Sequence, residues 1–470
     1  TIVSTCLPTI TSDLHADQVD YTWVAVAYQL AQTACQPLYG KVSDMVGRKK
    51  LLYFSVGLFA VGSLLCGFAQ TISWLISARV VAGVGAGGIV SSVWVITSAI
   101  VEVESRAKWS QALSITWASS AIAGPLLGGG FSDSSVFMNI PICAVSWVIF
   151  FFSLRGVDLP SSSDTTIQTL LRKFDFVGLF LFMGGSCTLM TGLALAEIDG
   201  WKSPSTLVPV ILGVVLFMVA YIHELRTERE CIFPRAFFKN MILVLYSLVF
   251  IVAISFLHQV VFNTGTYYLS LYFQAATGAS ALLAGIKLLP YSLGSSLASI
   301  PSSMFVHGVQ KKTGDTMGQN IIISCGLGLT TLGFGLIILL DQYSSIVCQV
   351  VFQLIAGIGI GFLFHCPHEV LTAAVGDKNL ASVTSAFFLV RFTGASVGLS
   401  IAGAIYSGSV AGKLPDEYNG SHASIDYSLL HSLQPLSVRN EIVDLIARSI
   451  RNIWIFCTPA IGVAFLVSLS

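Results

Sequence analysis

The sequence predicts an all-α polytopic membrane protein, and three observations carry that prediction. Charged residues make up only 10% of the 470, against an apolar fraction of 54% and a mean hydropathy of +0.80; soluble domains carry about 25% charge. Charge-free windows recur along the whole chain, at 21–40, 51–70, 80–101, 109–132, 134–154, 176–196, 203–223, 317–340, 342–368 and 452–470. A window of about 20 residues at 1.5 Å per residue crosses the roughly 30 Å hydrocarbon layer. Finally, these runs do not alternate apolar with polar residues, which argues against an outer-membrane barrel.

Taken in order, the runs give fourteen spans: 1–12, 22–40, 51–70, 74–98, 109–131, 136–154, 176–196, 205–223, 241–262, 280–304, 319–340, 344–368, 380–407 and 452–470. The chain opens at Thr1 inside an apolar run, so the first span is expected to be truncated and further sequence to precede it. The interval 240–286 holds no Lys, Arg, Asp or Glu; it supplies one full span and the start of the next.

Charge then orients the spans. Loops on one side hold sixteen of the 24 basic residues and the other side five, four of these beyond residue 410 in the one long loop, 408–451. Arg79, Lys287 and Arg391 fall within spans. Basic loops stay cytoplasmic, so both chain ends are expected there and the 408–451 loop on the far side. The only Asn-x-Ser/Thr triplet, at Asn419, lies in that far loop, where glycosylation is possible. Within the loop, Val438, Ile442, Leu445 and Ile446 recur at helical spacing; either a short amphipathic helix or an extension of the last span satisfies the pattern.

Other functional classes lack their signatures. The ten cysteines are scattered without ligand-like spacing and read as small buried hydrophobes. Net charge is zero, giving nucleic-acid binding no support. No phosphate-cradling Gly-rich loop with its Lys-Ser/Thr is present, and no repeated pore loop marks a channel. Fourteen passes do not fit a seven-span receptor. An enzyme would need clustered His, Asp or Cys. His365 and His368, beside Cys366 and Glu369, come nearest, and a metal there would need a further ligand. No cofactor is expected.

Three motifs ask for more than membrane insertion. In GKVSDMVGRKK, Gly40 and Gly47 permit a tight turn, Asp44 can accept from the amides of the next helix, and Arg48 and Lys49 can pair with acids or headgroups. A conformational latch and a plain topogenic loop both fit. Arg79 sits early in span four, followed by Gly83, Gly85, Gly87 and Gly88. A charge in a span implies a partner or an aqueous path, the alternative being snorkelling to the cytoplasmic surface. In span five, Gly124, Pro125, Gly128 and Gly129 combine a kink with a small-residue face, as a sliding joint or a packing bend would.

Together these motifs resemble the major facilitator superfamily. Fourteen spans, the opening TIVSTCLPTI and YYLSLYFQAATGASALLAGIKLLP at 267–290 look like its fourteen-span drug:proton antiporter branch. LLPYSLGSSLASIP resembles fungal vacuolar basic amino acid transporters. The resemblance implies two six-helix bundles, 1–155 and 241–470, with spans 7 and 8 inserted within 156–240, and a cavity that alternates its access by rocking. It maps Gly40, Asp44, Gly47, Arg48 and Lys49 onto the latch, Arg79 onto proton coupling, and Gly124, Pro125, Gly128 and Gly129 onto the antiporter motif. Met45 departs from a position often basic in the family. FSDSSVFMNIP lacks the Trp-Arg-Trp expected before Phe137–Pro141, which puts the hairpin of spans 5 and 6 in question. An acid usual before Thr-Ile-Val would fall before Thr1.

In the second half, Lys287, Glu369 and Arg391 are the ionisable residues in or beside spans, with Glu369 and Arg391 open to mutual pairing or a transport role. Tyr267, Tyr268, Tyr272 and Phe273 read as an aromatic girdle at the outer membrane face or at the cavity lip, with an interfacial belt favoured. Gly357, Gly359 and Gly361 echo the glycines of span four, and GVQKKTG at 308–314 echoes the first-half loop. The expected function is a monomeric, proton-coupled exporter of amphiphilic or cationic organic compounds in the plasma or vacuolar membrane, contacting lipid, protons and a small organic substrate. The runner-up is vacuolar transport of basic amino acids.

Single cysteines at positions 45 and 420 of a cysteine-light variant test the orientation. In intact right-side-out membranes an impermeant thiol reagent is expected to label 420 and spare 45; the reverse pattern overturns the topology.

Overall fold

The structure is a computed structural model that describes residues 18–101, 139–156, 175–227, 243–279, 281–341, 343–375, 380–410 and 435–469, with a few single positions between these segments. It is helical along these stretches. Before the central hairpin come α1 (Gln18–Ala34), α2 (Gln36–Val46), α3 (Arg48–Gly67), α4 (Ile72–Ile100) and α5 (Asn139–Leu154). The hairpin is α6 (Phe176–Asp199) and α7 (Pro204–Arg226). After it come α8 (Leu243–Ala275), α9 (Ala281–Lys287), α10 (Leu289–Leu297), α11 (Ser299–Thr313) and α12 (Met317–Ile337). The last helices are α13 (Ile346–Phe362), α14 (Cys366–Val375), α15 (Leu380–Val410) and α16 (Leu436–Ser468).

Eight helices among the described residues are long and apolar enough to cross a bilayer: α3, α4, α6, α7, α12, α13 continued into α14, α15 and α16. The chain is therefore an all-α, multi-pass membrane protein. Each of the eight falls on one of the fourteen expected spans. Spans 1 and most of 5 lie outside the described residues.

Three expected spans are broken, each beside a proline, the third being 344–368 at Leu363–His365 ahead of Pro367. The segment 22–40 divides at Cys35, where Pro37 enters the first turn of α2, and 280–304 divides at Leu288 and Ala298, ahead of Pro290 and Pro301. A proline supplies no amide to the preceding turn, so the helix bends there. The helical pattern at 438–448 belongs to the last span itself: α16 runs unbroken from Leu436 to Ser468. Its Ile442, Val443, Ile446 and Ile450 are buried in the core, while Asp444 and Arg448 pair at 2.7 Å on its outer side. The tyrosines after residue 262 are no surface girdle either. α8 continues to Ala275, and Tyr268, Tyr272 and Phe273 are buried inside the bundle, Tyr267 alone of the four facing outward.

The helices before and after the hairpin repeat one packing register. Four glycines in each set lie where a Cβ would collide with a neighbouring backbone. Gly83 abuts the Tyr28 carbonyl, as Gly357 abuts that of Tyr291. Gly87 meets the carbonyl of Gln32, as Gly361 meets that of Ser295. Gly85 lies on Phe59 and Gly359 on Thr330; Gly62 faces Ala82 and Gly333 faces Ala356. So α4 sits between α1 and α3 as α13 sits between α10 and α12. The break at Cys35, seven residues after Tyr28, matches the break at Ala298, seven after Tyr291. In both units the broken helix run also ends on a positive-φ glycine, Gly47 at 102° and Gly314 at 72°. Lipid tails are as apolar as leucine, so helix association in a bilayer relies on such close van der Waals approach.

The hairpin rests on both units. Leu179 and Phe182 of α6 pack with Leu38 of α2 and Leu389 of α15, and α7 closes the outside with an apolar face that includes Val208, Ile211, Val215 and Met218, all exposed. Asp175 ties the hairpin at its open end, accepting from the Gly178 amide at 3.0 Å and meeting His223 Nε2 at 2.9 Å.

Replacing Gly83 or Gly357 with Ala is expected to destabilise the protein by about 1–3 kcal/mol, the usual cost of overpacking. Gly57→Ala, whose Cβ would enter open space, is expected to be neutral or slightly stabilising. Thermal unfolding in detergent checks this; equal behaviour of all three variants overturns the packing argument.

Candidate functional site

A cluster of buried polar and aromatic side chains lies where α4 meets α14 and α15. Ser91 of α4 and Ser385 of α15 share a hydrogen bond of 3.1 Å between their hydroxyl oxygens. One turn further along α4, the Trp94 ring lies 5.1 Å from that of His365, 5.0 Å from His368 and 5.3 Å from Phe388. His368 Nε2 is 3.1 Å from the Thr384 hydroxyl. These contacts join the helices before the hairpin to those after it. They lie in the part of α4 that approaches Ile100, and hence toward the end of the bundle that carries the Gly47 turn.

A local interruption of the helix makes this arrangement possible. Between α13 and α14 the chain turns at Leu363–His365, ahead of Pro367, and the turn leaves the Phe364 carbonyl without a helical donor. Arg391 Nη1 lies 3.4 Å from that oxygen. The rest of the guanidinium is held by Gln259 of α8, whose Oε1 accepts from Nε at 3.1 Å and from Nη2 at 2.9 Å. The rings of Phe364, Phe387 and Phe388 surround it at 4.9, 5.3 and 5.9 Å. His258, one residue before Gln259, faces the Ile360 carbonyl at 3.2 Å. Broken helices with exposed backbone acceptors at membrane depth are tolerated only where protein or a cavity surrounds them.

The sequence-predicted residues distribute as follows. Arg391 is buried and central. Its hydrogen bonds go to Gln259 and Phe364 and not to Glu369, so the pairing considered across spans 12 and 13 is not made. Glu369 lines a separate crevice of about 10 Å³ with Ser299, Ser302, Ser303 and His365, room for a single water. Lys287 lies at the opposite end of the bundle from Gly47, its Nζ donating to Thr277 Oγ1 at 3.0 Å. Arg79 also lies near that opposite end, two turns into α4. Its Nε donates to the Val24 carbonyl at 3.2 Å and its guanidinium covers the Tyr28 ring at 4.2 Å. With the orientation expected from the basic loops, snorkelling to the cytoplasmic surface does not describe it, since the Gly47 turn is at the far end of α4.

In the loop motif, Gly40 and Gly47 are buried, as is Arg48, and Lys49 Nζ donates to the Leu154 carbonyl at 2.6 Å, tying α3 to the end of α5. The Asp44 side chain, Gly124, Pro125, Gly128, Gly129 and Asn419 lie outside the described residues. Sequence reasoning missed Trp94, His258 and Gln259. Gln259 carried a usable signal: a polar side chain deep in the long charge-free interval 240–286. Trp94, one aromatic among many, carried none.

A family profile described as Major Facilitator Superfamily matches residues 1–399. An uncharacterized MFS-type transporter of Schizosaccharomyces pombe is 32% identical over 475 residues, covering all of this chain and 77% of that protein. The efflux pump dotC of Dothistroma septosporum is 30% identical over 412 residues, covering 86% of this chain and 68% of its own length. Among solved structures, the human organic anion transporter MFSD10 superimposes with a TM-score of 0.59 at 14% identity, covering 97% of this chain and 88% of its own; at that identity the likeness is one of fold.

Cysteines at 91 and 385 are expected to form a disulfide on oxidation, because the serine oxygens they replace are already in contact. Oxidised protein should stop cycling and reductant should restore it. A quantitative crosslink that leaves turnover unchanged would show that this junction never opens.

Proposed function

Because the chain belongs to the major facilitator superfamily, and so moves small molecules instead of transforming them, we propose that it is a proton-coupled antiporter exporting amphiphilic organic compounds by alternating access. The observation that carries this reading is the junction of α4 with α14 and α15. It is built from a serine–serine hydrogen bond and ring contacts, interactions weak enough to part and re-form. Directly behind it lies a buried cation surrounded by phenylalanines. The matched register of α1, α3 and α4 with α10, α12 and α13 supports two bundles, 1–155 and 241–470, moving about that junction, with α6 and α7 as the inserted pair of a fourteen-span chain.

Arg79 is the proposed coupling residue of the first bundle. It stacks on Tyr28 beside the broken segment α1–α2, so a change in its hydration is felt where that segment bends. The turn at Gly47, with Arg48 buried and Lys49 bound to the end of α5, is the proposed latch. Of the compounds expected from the sequence, the geometry favours amphiphiles over simple cations and over basic amino acids: besides Glu369 in its narrow crevice beside His365, the described polar groups at the junction are arginine, histidine, glutamine and hydroxyls, and none of Arg391's described partners is acidic. The relative from Dothistroma, named an efflux pump, is consistent with export.

Full-length protein in liposomes with an inward proton gradient tests the reading. An amphiphilic fluorescent compound is expected to dissipate the gradient, and arginine or lysine is not. Arg79→Ala should lower the coupled rate by about tenfold or more, equivalent to about 1.4 kcal/mol in the barrier. Proton-coupled movement of arginine or lysine alone would replace the proposal with amino acid transport.

A further inference from the structure

Resting on the transport reading above, we propose that Arg391 recognises an anionic group of the substrate, a carboxylate or similarly forked oxyanion, so that the compound carried is an amphiphilic organic anion. The argument starts from charge. The Arg391 side chain is 4% exposed, and a guanidinium does not give up its proton in a protein. Buried ions are normally paired, since an unpaired one bears the full cost of leaving water. Yet every oxygen that Arg391 reaches is neutral: Gln259 Oε1 twice and the Phe364 carbonyl once. Among the described residues none of its partners is acidic. The other ionisable side chains closest to it, His258 and His365, can only add positive charge.

The way Gln259 is used is as telling as the missing acid. A single amide oxygen accepts from both Nε and Nη2, the edge that a carboxylate would meet with two oxygens. Arginine's fork matches a carboxylate in this bidentate manner, and charge-assisted bonds of that kind are about twice as strong as neutral ones. Gln259 therefore acts as a neutral placeholder that an anion can outcompete. Phe364, Phe387 and Phe388 enclose the guanidinium, which gives the apolar part of an amphiphile a surface beside its charged end. Phe388 also touches Trp94, so the site lies immediately behind the junction that must open to admit the substrate. A purely structural arginine would be indifferent to substrate charge.

Full-length protein in liposomes, with three fluorescent probes built on one aromatic body, separates these possibilities. One probe carries a carboxylate, the second its methyl ester and the third an amine. Wild-type protein is expected to move the carboxylate at least about tenfold faster than either relative, the discrimination a charge-assisted fork supplies. Gln259→Glu places an internal carboxylate against the fork and should collapse that preference while raising thermal stability. Arg391→Gln should also abolish it and Arg391→Lys should retain part. Equal transport of all three probes by wild type, or a preference that survives Gln259→Glu, overturns this inference and leaves the transport reading standing. Movement of no probe by protein that elutes as a folded species overturns the transport reading, and this inference with it.

Discussion

Everything in this bundle depends on backbone reaching backbone at the glycines of α4 and α13. In water, burying apolar side chains would hold the helices together; between lipid tails that drive is absent, and what remains is close contact and the few polar bonds it permits. Gly83 and Gly87 bring α4 onto the carbonyl edge of α1, while Gly62 and Gly85 bring α3 onto α4. The second set does the same with Gly357, Gly361, Gly333 and Gly359. Two compact trios result, each rigid because its helices touch along their main chains. Rigid units leave the joint between them as the place where shape can change.

That joint is chemically different from the trios. Where α4 reaches α14 and α15 its surfaces meet through Ser91 and Ser385 and through the ring of Trp94 against two histidines and a phenylalanine, and beside this α2 lies along α15, with Leu38 and Leu389 in one apolar cluster. No glycine of α4 is spent on α15. Contacts through side-chain tips can be exchanged for contacts with water or substrate at small net cost, because polar groups exchange one hydrogen-bond partner for another. Under the proposed alternating access, main-chain contacts within units and side-chain contacts at the α4 junction would let one chain be both stable and mobile. Arg391 sits at the boundary of these two regimes, anchored by its own unit and one ring away from the other.

Much of this was legible in the sequence. Scarcity of charge and the spacing of apolar runs predicted helices that the structure places at α3, α4, α6, α7, α12, α13, α15 and α16. The glycine runs at 83–88 and 357–361 were visible as related, because glycine is the residue that main-chain contact requires and its positions survive in the chain as plain letters. What they touch was not visible: Tyr28 and Tyr291 look like any other tyrosines until the helices are assembled. Breaks at Cys35 and Ala298 were hidden because a proline within an apolar run marks a bend in a span as readily as the end of one. Arg391 stood out as a charge in a span, but its partner did not. Gln259 is 132 residues away, and pairing across such a distance is decided by topology, which no local pattern carries.

The α6–α7 hairpin has a mechanical consequence. Through Leu179 and Phe182 it leans on α2 from one unit and on α15 from the other. A body in contact with two others that rotate relative to each other can stay fixed to one at most. If the trios rock, α6 must slide along one of its neighbours as a bearing surface does, and the smooth apolar shape of its contact residues is suited to that. Meanwhile α7, lipid-facing over most of its circumference, sweeps through the surrounding acyl chains. In the proposed cycle the viscosity and thickness of the membrane would therefore enter the friction through this helix pair.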